Sequence, residues 1–169
     1  RSTTIGQSCD LYLRNKQNLN DKAIHLMFSA NRWEKEQHLR ELIESGTSIV
    51  CSRYAYSGVA YSGAKGMSLP WCRNCDVGLP EPDLVVFLDI DPEAASKRNA
   101  FGEERYEKVE FQKSVRRVFN QIFDWNRHNV QVVNASQTIE QVQKDIQDAI
   151  DKNLPIRLEK DLGLLWSDL

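Results

Sequence analysis

Arg53 stands where the apolar run of "SIVCSRYAYSGVAYSGAK" (48–65) breaks into aromatics, glycine and serine. If the run is a strand of an α/β sheet, its carboxyl end opens onto a ligand crevice, and a cation there faces a ligand rather than the core. A guanidinium suits planar, bidentate recognition of phosphate or carboxylate. The plainer alternative is a surface arginine paired with a nearby carboxylate. Arg1 is a possible second member of a phosphate clamp but carries no signal of its own.

Phe28 and Arg32 lie four apart on one helical pattern, so they share a face. A ring beside a forked donor can seat a flat, carbonyl-bearing ligand such as a nucleobase. Equally, Phe28 can be core while Arg32 reaches Glu36 at i+4. In "SGVAYSGAKG", Gly58 and Gly63 permit close backbone approach, and Ser57 and Ser62 can donate to oxygen. Glycine and serine also mark ordinary loops. "ASKRNAFGEERYEK" (95–108) reads either as a lid closing on phosphates through Lys97, Arg98 and Arg105, or as a solvated helix and loop.

The cysteine pair of "WCRNC" (71–75) resembles a redox motif, which belongs where a strand ends and a helix begins. Here "DVGLPEPD" follows, and its two prolines forbid a regular helix, which favours ordinary reduced thiols. Three scattered histidines and four cysteines offer no second ligand pair for zinc. No Gly-x-x-x-x-Gly-Lys-Ser/Thr loop occurs, so the usual backbone cradle for a triphosphate is missing from these residues.

These groups need elements to position them, and the pattern alternates. Helices are expected at 20–46, with Asn20 as N-cap and Gly46 as terminator, at 92–100, at 111–128 and at 138–150. Apolar runs at 47–52, 83–90 and 130–135 read as strands. Alternation of this kind means a parallel sheet covered on both faces. The 169 residues, 41% apolar and 27% charged, suit one globular domain. A net charge of −2 argues against a broad nucleic-acid footprint, and no apolar stretch is long enough to span a membrane.

Taken jointly, "HLMFSANRWE" (25–34), "RYAYSGVAYSGAKG" (53–66), "WC…DVGLPEPDLVVFL" (71–88), "FGEERYE…FQ" (101–112) and "LGLLW" (162–166) resemble thymidylate kinases of the eukaryotic and poxvirus type. The resemblance implies a single domain over 1–169 with the three-layer parallel sheet of P-loop nucleoside monophosphate kinases and a lid at 95–112. It implies phosphorylation of dTMP to dTDP with ATP and Mg²⁺, with dTMP and ATP as the partners, neither nucleic acid nor membrane, and a homodimer packed through helices. A cytoplasmic placement fits the thiols, with nuclear or mitochondrial pools left open. For dTMP, it places Phe28 on the thymine face, Arg32 on a thymine carbonyl and Leu13 beside the base. Arg53 and Arg1 grip the acceptor phosphate, Ser57, Gly58 and Tyr61 line the deoxyribose, and Tyr106 is a lid residue near the nucleotide. For ATP, it places Arg98 against adenine and Ala135, Ser136 and Gln137 in the loop beside it.

The chain also departs from the family. The first strand, phosphate-binding loop, helix and second strand, roughly 30–45 residues by the size of a βα unit plus a strand, are expected ahead of Arg1. A chain starting at Arg1 is then truncated, with a split sheet and poor or absent phosphoryl transfer. Ser52 stands in the catalytic position where the family has an aspartate that helps order magnesium, Gln137 where lysine is common, and Cys75 where proline precedes Asp76. The alternative function is a catalytically inactive relative that binds nucleotide or a partner.

Overall fold

The computed structural model describes residues 2–98, 101–123, 130–157 and 161–167, the side chains of 156 and 157 apart. Arg1 lies outside them, as do residues 99–100 and 124–128 at the ends of two expected helices.

Two apolar runs become strands, β1 (Val85–Asp89) and β2 (Val130–Asn134), paired in parallel from Val85↔Val130 to Asp89↔Asn134. The run at 47–52 does not. No described strand pairs with it, Val50 is 98% exposed, and Cys51 is exposed as well. An apolar run becomes a strand only when a neighbour takes up its N–H and C=O groups, and no described neighbour does so here.

The helix expected over 20–46 is two, α2 (Asp21–Trp33) and α3 (Glu36–Glu44). Asn20 caps α2 through the Lys22 N–H at 2.9 Å. The turn at Glu34–Lys35 lets the Trp33 indole donate to the Cys75 carbonyl at 2.8 Å, and Gly46, at φ +83°, closes α3. Ahead of them, α1 (Thr4–Leu13) has too weak an apolar pattern to be read from sequence, yet Thr3 caps it by accepting from the Gly6 N–H. The glycine- and serine-rich stretch after Arg53 is no loop but α4 (Ala55–Gly63).

Its small residues let α4 sit in the middle of the molecule. A Cβ at Gly63 would overlap the Leu69 side chain. Short α5 (Leu69–Asn74) carries Pro70 in its first turn, where the missing N–H costs nothing. Tyr56, Val59 and Ala60 of α4 meet Cys72 of α5, Leu79, and Val115, Val118 and Ile122 of α7 (Val109–Phe123). The C-terminal segment completes this core. Leu165 is fully buried, Trp166 packs edge-on against Tyr56, and the main chain of 163–165 bonds to that of 78–81. Short α6 (Pro92–Ser96), capped by Asp91, follows β1, and α8 (Ile139–Arg157) follows β2 and packs on it.

His25 shows how tightly α2 is seated. Its Nε2 lies 3.0 Å from the Cys72 carbonyl, which can only accept, so Nε2 carries the proton. Nδ1, 2.7 Å from Ser62 Oγ, then accepts from that hydroxyl. Burial is the main reason its pKa is lowered, with the Cys72 carbonyl and Asp76 opposing. A denatured His25 takes up a proton as the pH falls through about 6.5, while the folded one stays neutral to lower pH. The expected loss of stability is at most about 1.4 kcal/mol per pH unit below that point, ending at the folded pKa. Urea unfolding at about pH 7.5 and about pH 5.5 checks this, and His25→Gln should flatten the slope.

Candidate functional site

Arg32 stands in the last turn of α2, one turn beyond Phe28 on the same face. Its expected alternative partner, Glu36, is taken by Arg40 instead. Arg32 forks onto Asp76, with Nε at 2.9 Å from Oδ1 and Nη2 at 2.6 Å from Oδ2. Asp76 is fully buried just after α5, and Ser29 Oγ also bonds to it at 2.8 Å. The guanidinium fits because Gly58 of α4 has no side chain; a Cβ there would lie 2.9 Å from Nη2. Nη1, which also lies over Gly58, takes no part in the fork onto Asp76. Phe28 is half-buried against the small cluster of Cys9, Tyr12 and Ile24. Leu13, at the end of α1, is buried.

Ser57 and Tyr61, four apart, share a face of α4, the helix whose Gly58 lies under Arg32. Tyr61 meets Tyr106 at 5.3 Å between ring centres, and Tyr106 stacks on Phe111 at 5.3 Å and 21°. Gln112 Nε2 ties this wall together, donating to the Tyr106 carbonyl at 2.9 Å and more weakly to the Tyr61 hydroxyl at 3.4 Å. The Arg53 guanidinium lies 5.3 Å above the Tyr61 ring. Arg53 is exposed and has φ +66°, a left-handed conformation that costs a residue with a Cβ on the order of 1–2 kcal/mol. Ser52, beside it, is exposed too.

The remaining expected residues gather elsewhere. Arg98 Nη2 donates to the Ala135 carbonyl at 2.5 Å, just beyond the carboxyl ends of β1 and β2. The Ala135 N–H donates to the Asp89 carbonyl at 2.8 Å, and the Ser136 N–H to Asn134 Oδ1 at 2.9 Å. Gln137 Nε2 reaches Asp145 at 2.8 Å. Arg98 and residues 135–137 thus form a second group at the strand ends.

Two of the alternatives left open by the sequence lose their support. Arg105, offered as a phosphate donor of a lid, spends its guanidinium on the Tyr12 and Gln17 carbonyls and Asn18 Oδ1 at 2.8–2.9 Å, tying the 101–108 segment to the end of α1. In "WCRNC", burial raises the Cys72 thiol to about 11 and also pushes Cys75 up. A redox pair needs an accessible thiolate, and Cys72 is fully buried. Among the described residues no group of three or more acidic, histidine or cysteine side chains could hold a metal.

Three contributors lacked a legible signal: Asp76, Gln112 and Lys65. Lys65 Nζ donates to the Tyr12 hydroxyl at 3.0 Å and to Asp21 at 2.8 Å, and lies 5.0 Å from the Tyr106 ring centre. A charge at i+4 can be read from sequence, whereas a separation of 44 positions between Arg32 and Asp76 leaves no local mark.

The family model described as thymidylate kinase matches residues 1–146. A thymidylate kinase of Danio rerio is 46% identical over 167 residues, covering 98% of this chain and 79% of that protein. One of Arabidopsis thaliana is 45% identical over 168 residues, with 99% and 63% covered. Among solved structures, a thymidylate kinase from Candida albicans superposes with a TM-score of 0.86 at 35% identity, covering 97% of this chain and 82% of the other.

Proposed function

The chain belongs to the thymidylate kinase family, and on that premise we propose that it binds dTMP and phosphorylates it to dTDP with MgATP. The observation that carries the reading is the common face of Phe28 and Arg32, with the guanidinium held rigid by Asp76 over the bare Cα of Gly58. A fork fixed in this way offers its outer end to a pyrimidine carbonyl, while the Phe28 ring covers the base face and Leu13 borders it. Tyr61 and Ser57 border the sugar, where the Tyr61 ring crowds a 2′-hydroxyl and favours deoxyribose. Arg53 leaves the Tyr61 ring to grip the acceptor phosphate with Arg1, and Tyr106 closes the side.

ATP sits at the second group, with Arg98 against adenine and Ala135, Ser136 and Gln137 beside it. Magnesium belongs to the MgATP substrate. The protein then orients both phosphates in line, and catalysis rests on positioning and charge stabilisation. Residues 95–112 act as the lid, with Arg105 as its tether to α1 rather than a phosphate donor. The same reading carries a homodimer packed through helices and, with four free cysteines, a cytoplasmic placement.

A second reading, nucleotide binding without transfer, is favoured by Ser52, a neutral side chain beside Arg53. One experiment separates the two: calorimetric titration with dTMP and with UMP, followed by a coupled assay for ADP release from MgATP. Preferential dTMP binding with ADP release supports the kinase. Binding without release supports the second reading, and absence of dTMP binding overturns both.

A further inference from the structure

We propose that Lys65 is a positioning residue that holds the Tyr106 ring in place for the nucleotide, an inference that rests on the reading of Tyr106 as a lid residue facing dTMP. Lys65 lies in the turn that ends α4, and its side chain is only 13% exposed. Lysine ordinarily keeps its ammonium in water, because burying the charge costs several kcal/mol unless it is partnered. Here the partners come from three elements. Tyr12 of α1 accepts a hydrogen bond at 3.0 Å, Asp21 of α2 accepts one at 2.8 Å, and the Tyr106 ring lies 5.0 Å away from the lid side.

The Tyr12 ring is enclosed by two cations, Lys65 at 5.3 Å and the Arg105 guanidinium at 4.0 Å. Their tasks differ. Arg105 fixes main chain, because its own N–H donates to the Leu13 carbonyl at 2.9 Å and its guanidinium to the Tyr12 and Gln17 carbonyls. Lys65 meets the Tyr106 ring, which Phe111 and Tyr61 also border, Phe111 stacked and Tyr61 tilted. Without it the lid backbone stays tethered, but its nucleotide-facing ring loses one wall.

The proton balance agrees with this arrangement. Burial opposes the Lys65 cation, yet Asp21, Tyr106 and Tyr12 together raise its pKa. Burial also opposes ionisation of Tyr12, yet hydrogen bonding with Lys65 and Tyr106 and the nearby Arg105 charge bring its phenol below the usual value. Tyr106, governed mainly by burial, moves upward.

The test is a double-mutant cycle on dTMP binding, measured by calorimetry on the whole chain with Lys65→Met, Tyr106→Ala and the two combined. Lys65→Met should weaken dTMP binding roughly tenfold, and the double variant should bind no more weakly than Tyr106→Ala alone. In an alkaline ultraviolet titration, Lys65→Met should also move the Tyr12 absorbance step to higher pH. Additive losses, or dTMP affinity unchanged in Lys65→Met, overturn the inference. Should Lys65→Met fail to fold, Asp21→Asn on the exposed partner takes its place in the cycle, with a loss of roughly threefold expected, and unchanged affinity there overturns it too. A wild-type chain that fails to bind dTMP sinks the functional reading, whereas wild-type binding indifferent to Lys65 sinks only this positioning role.

Discussion

Asp76→Ala should lower the unfolding free energy by about 3–5 kcal/mol, the cost of leaving one half of a buried ion pair behind. Arg32 is 13% exposed and Asp76 not at all, so water cannot replace the lost carboxylate without opening the contact between α2 and the turn after α5. Ser29 loses its Asp76 acceptor as well and keeps only the Cys75 carbonyl, 2.8 Å away. Small domains hold about 5–15 kcal/mol in all, so a loss of this size brings the variant close to unfolding in urea titration at 25 °C. Arg32→Met combined with Asp76→Leu should cost less than Asp76→Ala, since neither charge is then stranded. That double variant separates stability from recognition. It should fold and yet bind dTMP no better than Arg32→Met alone, and recovered dTMP binding would remove Arg32 from the base site.

Arg53→Gly should act in opposite directions on binding and on folding. A charge-assisted contact is worth about 1.5–3 kcal/mol, so losing the guanidinium should weaken dTMP binding roughly 10- to 100-fold. The backbone at 53, however, has φ +66°, where glycine sits without strain. Stability should therefore hold or rise slightly, because the strain released is offset by the greater freedom of glycine in the unfolded chain. Arg53→Ala should lose the same affinity with no such relief. Calorimetry with dTMP and urea unfolding of both variants decide the matter, and a glycine variant that binds normally would take Arg53 out of the phosphate site.

Local pattern made part of this legible. Valine-rich runs gave β1 and β2 to within two residues, and Asn20 and Gly46 marked true helix ends. The same apolar signal at 47–52 gave no strand, because composition says that a segment can pair and not which neighbour is there to pair with it. Glycine and serine hid α4, since their low helix propensity is outweighed by the close packing that small residues allow at Gly58 and Gly63. The i,i+4 spacing put Phe28 and Arg32 on one helix face, whereas Asp76, which holds Arg32, and Lys65, which meets Tyr12 and Tyr106, come from distant stretches. Contacts across 44 or 53 residues are products of the tertiary fold and leave no periodicity to read.

The main-chain clasp between 163–165 and 78–81 bears on synthesis as well as stability. Leu165 and Trp166 fill the middle of a core whose other walls, α4, α5 and α7, are made from residues 55 to 123. A nascent chain extended only as far as residue 123 carries the sequence of those helices but lacks the two side chains that seal them together. The unfinished core must wait, wet and adhesive, until residues 163–166 follow, about 40 positions after the end of α7, and over that interval it is a natural client for chaperones that shield apolar surface.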